Sequence, residues 1–84
     1  MAVPTILRVG KLRIAILTRN EHEPPHVHVE HPDGTIVVFL DEKSGSARLR
    51  EASRSVKSND VRGVVAVVDR NFDRLLTAWV EIHR

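Results

Sequence analysis

The 84-residue chain has no cysteine and no tyrosine, and Phe39, Phe72 and Trp79 are its only aromatic residues. Without thiols, disulfides, thiolate nucleophiles and cysteine-ligated zinc sites are all excluded. With so few rings, the core must be aliphatic, made of Val, Ile and Leu. Apolar runs such as Val64–Val68 are far too short to cross a bilayer, and no charged leader precedes an apolar stretch. The expectation is a cytoplasmic protein with no membrane partner. A chain of this length buries roughly 60–65% of its unfolded surface, which allows one modest core. Residues 1–84 are therefore read as a single domain. A core this small, with no staple, leads us to expect a small partner protein or self-association.

Net charge is only +2, but it is unevenly spread. Between Lys43 and Lys57 the cations Lys43, Arg48, Arg50, Arg54 and Lys57 face a single acid, Glu51. Such a stripe suits a phosphate backbone or an acidic partner, although an ordinary solvated face looks the same. No aromatic residue is interleaved with it, so the nucleic-acid signal is weak.

The hydrophobic pattern predicts α+β: an antiparallel sheet of four to five strands over about residues 4–51, packed against one long C-terminal helix over about 59–83. Thr5–Val9 and Lys11–Thr18 read as strands, the second alternating Leu12, Ile14 and Ile16 with charged residues. Pro24-Pro25 fixes an extended entry into a third strand, His26–Glu30. Pro32-Asp33-Gly34 turns the chain into Thr35–Leu40, which is apolar enough for a central strand. Ala47–Glu51 alternates weakly and fits an edge strand. Val61, Val65, Val68, Phe72, Leu75, Trp79 and Ile82 then recur at steps of four and three, the spacing of one helical face. Ser58 is the expected N-cap, and Asp60 sits where the helix dipole favours an acid. A kink near Asn71 is the alternative to a continuous helix.

Four of the five histidines, His22, His26, His28 and His31, lie between residues 22 and 31. Strand periodicity places His26, His28 and Glu30 on one face and Val27 and Val29 on the other. Three readings compete for this cluster. Imidazoles and a carboxylate, from His22, His26, His28 and Glu30, suit a divalent transition metal such as zinc, nickel or iron. The second reading is cofactor-free ribonuclease chemistry. RNA cleavage by its own 2′-hydroxyl needs a base, an acid and a cation beside the phosphorane. His26 and His28 would be the proton-transfer pair, with Arg19, Arg13 or Arg48 binding phosphate. The third reading is a polar strand face that merely hydrogen-bonds to neighbouring loops. His31 and His83 read as surface residues, and Trp79 and Phe39 as core.

Pro4-Thr5-Ile6 with Arg8 and Gly10, then Asn20-Glu21-His22, Glu23-Pro24-Pro25-His26-Val27-His28-Val29, and Leu75-Leu76 with Trp79 together resemble a small bacterial family known as domain of unknown function 4160. The likeness spans nearly the whole chain, and His22, Pro24, Pro25, His26 and His28 carry its most specific part. Such proteins often sit beside a second family, domain of unknown function 2442, in a layout similar to toxin–antitoxin pairs. The resemblance implies a toxin-like component with an antitoxin-like small protein as partner and RNA as a candidate target. The alternative is a non-enzymatic module that binds metal, protein or nucleic acid. The chain departs from the family's pattern over Asp41–Lys57, where an Asp-Pro or a shorter link into the helix is expected.

Overall fold

The computed structural model describes residues 5–17 and 24–83. Five antiparallel strands run in sequence order across one sheet: β1 (Thr5–Val9), β2 (Leu12–Ala15), β3 (His26–His31), β4 (Gly34–Asp41) and β5 (Ser46–Ala52). Two helices follow, α1 (Ser58–Arg70) and α2 (Phe72–His83), and both pack on the same face of the sheet.

Each strand turns its aliphatic parity toward the helices. Ile14, Val27, Val29, Ile36, Val38 and Leu40 lose all solvent contact there, and Val64, Val68, Phe72, Leu75 and Trp79 cover them from the helix layer. Each such side chain contributes roughly 1.5–3 kcal/mol on burial, so this interface holds the domain together. Trp79 is a core residue, as its spacing predicts. Of the two neighbouring valines on α1, Val64 is fully covered while Val65 stays half-buried.

Two local devices keep the strands in phase with the core. Gly10 takes a left-handed φ of 57° in the two-residue turn joining β1 to β2, a conformation glycine adopts without steric cost. In β5 the register against β4 slips between Val37 and Val38, leaving Arg50 as the extra residue of a bulge. Strict alternation would have turned Glu51 toward the helices. The bulge instead places Ala52 opposite Ile36 in the core and Glu51 opposite Val37 on the outer face.

The segment after β5 laces back over the β3–β4 turn. The Ser53 hydroxyl accepts from the Thr35 N–H at 3.0 Å and donates to the Thr35 carbonyl at 3.2 Å, and the Ser55 hydroxyl donates to the Asp33 carbonyl. A Cβ at Gly34 would lie 2.6 Å from Ser53 Cβ, so only glycine lets the two segments approach this closely.

The single long helix is the main correction to the sequence reading, and Asn71 is its cause. The Asn71 side-chain amide donates to the Val67 carbonyl at 2.8 Å, taking the acceptor that its own backbone N–H would use in a regular helix. That N–H moves to the Val68 carbonyl at 3.1 Å, a tighter turn that ends α1, and Leu75 N–H to Asn71 carbonyl at 3.0 Å starts α2. The apolar stripe survives the break because Val68, Phe72 and Leu75 all stay buried. At the other end Ser58 is inside α1, and Lys57 occupies the N-cap without a side-chain hydrogen bond. The second strand is shorter than expected, Leu12–Ala15 rather than Lys11–Thr18, with residue 18 outside the described residues.

Candidate functional site

On the face turned away from the helices, the register builds three cross-strand rows. Arg13 pairs with Glu30 and Glu30 with Thr35; Ala15 pairs with His28 and His28 with Val37; His26 pairs with Phe39 and Phe39 with Arg48. Paired residues share a face, so His26 and His28 project to the same side, as the strand period predicts. Their ring centroids are 5.2 Å apart, edge to face. The small Ala15 beside His28 leaves room for the imidazole.

The proline corner orients this pair. The Leu40 N–H donates to the Pro25 carbonyl at 2.8 Å, pinning the corner to β4. His26 Nδ1 lies 3.0 Å from the Pro24 carbonyl, which can only accept, so Nδ1 carries the proton and Nε2 is the basic nitrogen of the neutral ring. His26 is 3% exposed, and His28 is half-buried as a residue with its Nε2 out of solvent contact.

Phe39 is not the core residue that its sequence context suggests. It sits half-buried on the outer face, with the guanidinium carbons of Arg48 and Arg50 at 5.0 and 5.8 Å from its ring centroid. These are cation–π distances, and they place two permanent cations one strand beyond His26. The basic stripe is thus divided. Arg48 and Arg50 lie over Phe39, Lys43 lies in the β4–β5 turn, and Arg54 and Lys57 are exposed in the link to α1. Lys43 and Arg48 also line an open cleft of about 490 Å³, together with Pro24, Pro25 and Phe39. At its edge, burial opposes ionisation of Asp41. Hydrogen bonds from Lys43 and Ser44 and the charge of Arg48 outweigh that and hold its carboxyl below the ordinary value.

The proposed metal ligands fare unevenly. Glu30 shares the histidine face but is engaged by the Arg13 guanidinium, which also donates to the Thr5 hydroxyl. Arg19 and His22 lie outside the described residues. Among the described residues, the ligating atoms that converge within 4.8 Å belong to His31, Asp33 and Asp60. His31 is not a free surface side chain. Its odd position in β3 turns it to the helix side, where Nε2 stands 3.4 Å from an Asp60 carboxylate oxygen. Its Nδ1 accepts the Asp33 N–H at 3.0 Å, which assigns the proton of the neutral ring to Nε2. A metal on Nε2 would need that proton moved and the Asp33 bond broken, so the trio reads as a tether from the β3–β4 turn to α1. His83 also departs from expectation: it is half-buried, stacked on Trp79 at 4.2 Å, with Nδ1 3.0 Å from the Trp79 carbonyl.

Sequence reasoning placed the two imidazoles on one face but read Phe39, which shares that face, as core. The signal was available in parity, because antiparallel pairing across a turn centred on Pro32-Asp33 puts residue 39 opposite residue 26.

No described helix is long and apolar enough to span a membrane. The profile of the family described as Domain of unknown function (DUF4160) matches residues 12–80, so the chain belongs to that family. No curated protein and no solved structure matches it.

Proposed function

We propose that this DUF4160 protein is the toxin-like component of a two-protein module and cleaves single-stranded RNA in the cytoplasm without a metal. One observation carries the reading: two imidazoles in ring contact on one face of β3, in register with a phenylalanine that bears two arginines. In the proposed reaction the 2′-hydroxyl of a ribose attacks the adjacent phosphorus as His26 Nε2 takes its proton. His28 delivers a proton to the departing 5′-oxygen, and the products are a 2′,3′-cyclic phosphate and a free 5′-hydroxyl. Arg48 and Arg50 stabilise the added charge on the phosphorane, and Arg19 is a further candidate for that role. The antitoxin-like partner would then act by covering the outer face.

The near-complete burial of His26 favours a second reading, a non-enzymatic module that binds RNA through the same cations while His26 only shapes the corner. A metal held by His22, His26 and His28 belongs to this second class.

Untagged protein incubated with a single-stranded RNA in the presence of a chelator separates these readings. Cyclic-phosphate ends that form with wild type but not with His26→Gln or His28→Gln support the ribonuclease. RNA that is retained but intact supports the binding module. Activity lost on chelation and restored by zinc would overturn the metal-free mechanism.

A further inference from the structure

The cleft beside His26 has a different chemistry from the rest of the outer face, and we propose that it seats one nucleobase of the RNA, with the adjoining phosphate on Arg48 and Lys43. The inference rests on the RNA reading above and states which part of the strand meets which residues.

Volume and rigidity come first. At about 490 Å³ the cleft falls within the range of small-molecule sites, and a nucleotide fills it where a bare phosphate would leave its apolar floor wet. Pro24 and Pro25 form one wall with fixed backbone angles, and the Leu40 N–H to Pro25 carbonyl bond at 2.8 Å holds that wall against β4. Little ordering is left for the ligand to impose.

The lining chemistry then selects the ligand. Phe39 supplies an aromatic ring that holds the Arg48 guanidinium 5.0 Å from its centroid, and that guanidinium is a planar surface on which a base stacks. Arg48 and Lys43 are also the anion partners for the phosphate. Two carboxylates share the rim. Asp41 is committed to its turn, accepting the Lys43 N–H at 3.0 Å, whereas Glu42 is exposed at the mouth. A carboxylate there accepts from an amino or imino N–H of a base edge and repels a second phosphate. Adenine, cytosine and guanine offer an exocyclic amine, whereas uracil offers only its N3–H, flanked on both sides by carbonyl oxygens that a carboxylate repels. Because His26 pairs directly with Phe39, a base in this cleft brings its ribose and phosphate toward the imidazoles.

Trp79 lies on the helix side of the sheet, so its fluorescence is silent to this event and amide NMR shifts are the readout. The probes are the monophosphates of adenosine, cytidine, guanosine and uridine, with ribose 5-phosphate and inorganic phosphate as controls. Saturable shifts are expected at the amides of Phe39–Lys43 and Ala47–Leu49 with the nucleotides, and binding at least about tenfold weaker with the controls. Phe39→Leu, which unseats the Arg48 guanidinium, is expected to weaken nucleotide binding by about 5- to 150-fold, the range of one base stack. Glu42→Gln is expected to abolish the preference over uridine monophosphate. The proposal is overturned if inorganic phosphate binds as tightly as the nucleotides. It is equally overturned if the shifts map elsewhere, or if a folded Phe39→Leu protein binds unchanged. RNA cleavage without nucleotide binding at these amides would reject the subsite and keep the ribonuclease; nucleotide binding there with intact RNA would keep the subsite and reject the catalysis.

Discussion

The two faces of β3 are made by alternate residues of one six-residue strand, yet they follow different rules. Val27 and Val29 lose all exposure against the helix layer, where shape and apolar volume are the only requirements. His26, His28 and Glu30 face the other way, among Ala15, Val37, Phe39, Arg13 and Arg48. Nothing on that side resembles a second aliphatic core, although Ala15 and Val37 are buried there at 2% and 7% exposure. Among the described residues no helix packs against it. One face therefore answers to packing and the other, on the proposed reading, to chemistry, and a substitution should reveal which by what it damages.

The largest effect belongs to the packed face. Trp79→Ala removes a ring that is 5% exposed and also unseats the stacked His83. The expected cost is ~3–5 kcal/mol in urea unfolding, enough to abolish the folded state of so small a domain. A Trp79→Ala protein that unfolds cooperatively with less than about 1 kcal/mol of loss would mean that α2 is not a main support of the sheet.

On the chemical face the expected damage is to activity. His28→Gln keeps a polar side chain of similar length in a half-buried position, so its stability change should stay within about 1 kcal/mol. Cleavage, if His28 supplies a proton, should fall by ~10²–10⁴-fold. The contrast breaks if the activity loss merely tracks the unfolded fraction measured in the same samples.

The same contrast explains what was legible beforehand. Alternation and the four-three spacing identify the apolar residues of both layers, because burial selects residue type directly, and the Pro32-Asp33-Gly34 turn makes neighbours of β3 and β4. The break at Asn71 was visible only as an alternative, since it depends on one amide competing with the backbone for the Val67 carbonyl. Phe39 and His31 were misassigned for a different reason. Sequence context marks an apolar run and a turn-flanking histidine, but only register says that Phe39 lies under two arginines and that His31 faces Asp60. Arg50 owes its place to a bulge that no residue type announces.

A smaller effect tests whether Glu30 is part of the chemistry or only of the surface. Its partner Arg13 has a side chain 25% exposed, and its own is 55% exposed, so water screens the pair. Glu30→Gln should cost ~0.2–1 kcal/mol, less at high salt, and leave RNA cleavage intact. A cleavage defect well beyond that stability loss would place Glu30 among the functional groups, as a ligand or as the residue that restrains Arg13 from the phosphate.

The smallest effect comes from Asp41, at the rim of the cleft. Its carboxyl is held below the ordinary 3.8 because Lys43, Ser44 and Arg48 overcome the opposing effect of burial. A group whose folded value is depressed stabilises the protein fully above its unfolded value, and that contribution fades as pH falls through the folded value. Asp41→Asn keeps an oxygen for the Lys43 N–H but has no charge to lose. The variant should therefore be slightly less stable than wild type at neutral pH and equal to it well below pH 3.8, measured by urea unfolding at both. A difference that persists unchanged into acid would assign the loss to turn geometry rather than charge. Asp41 would then shape the cleft through the hydrogen bonds of its turn rather than its charge, leaving Glu42 as the carboxylate a ligand meets.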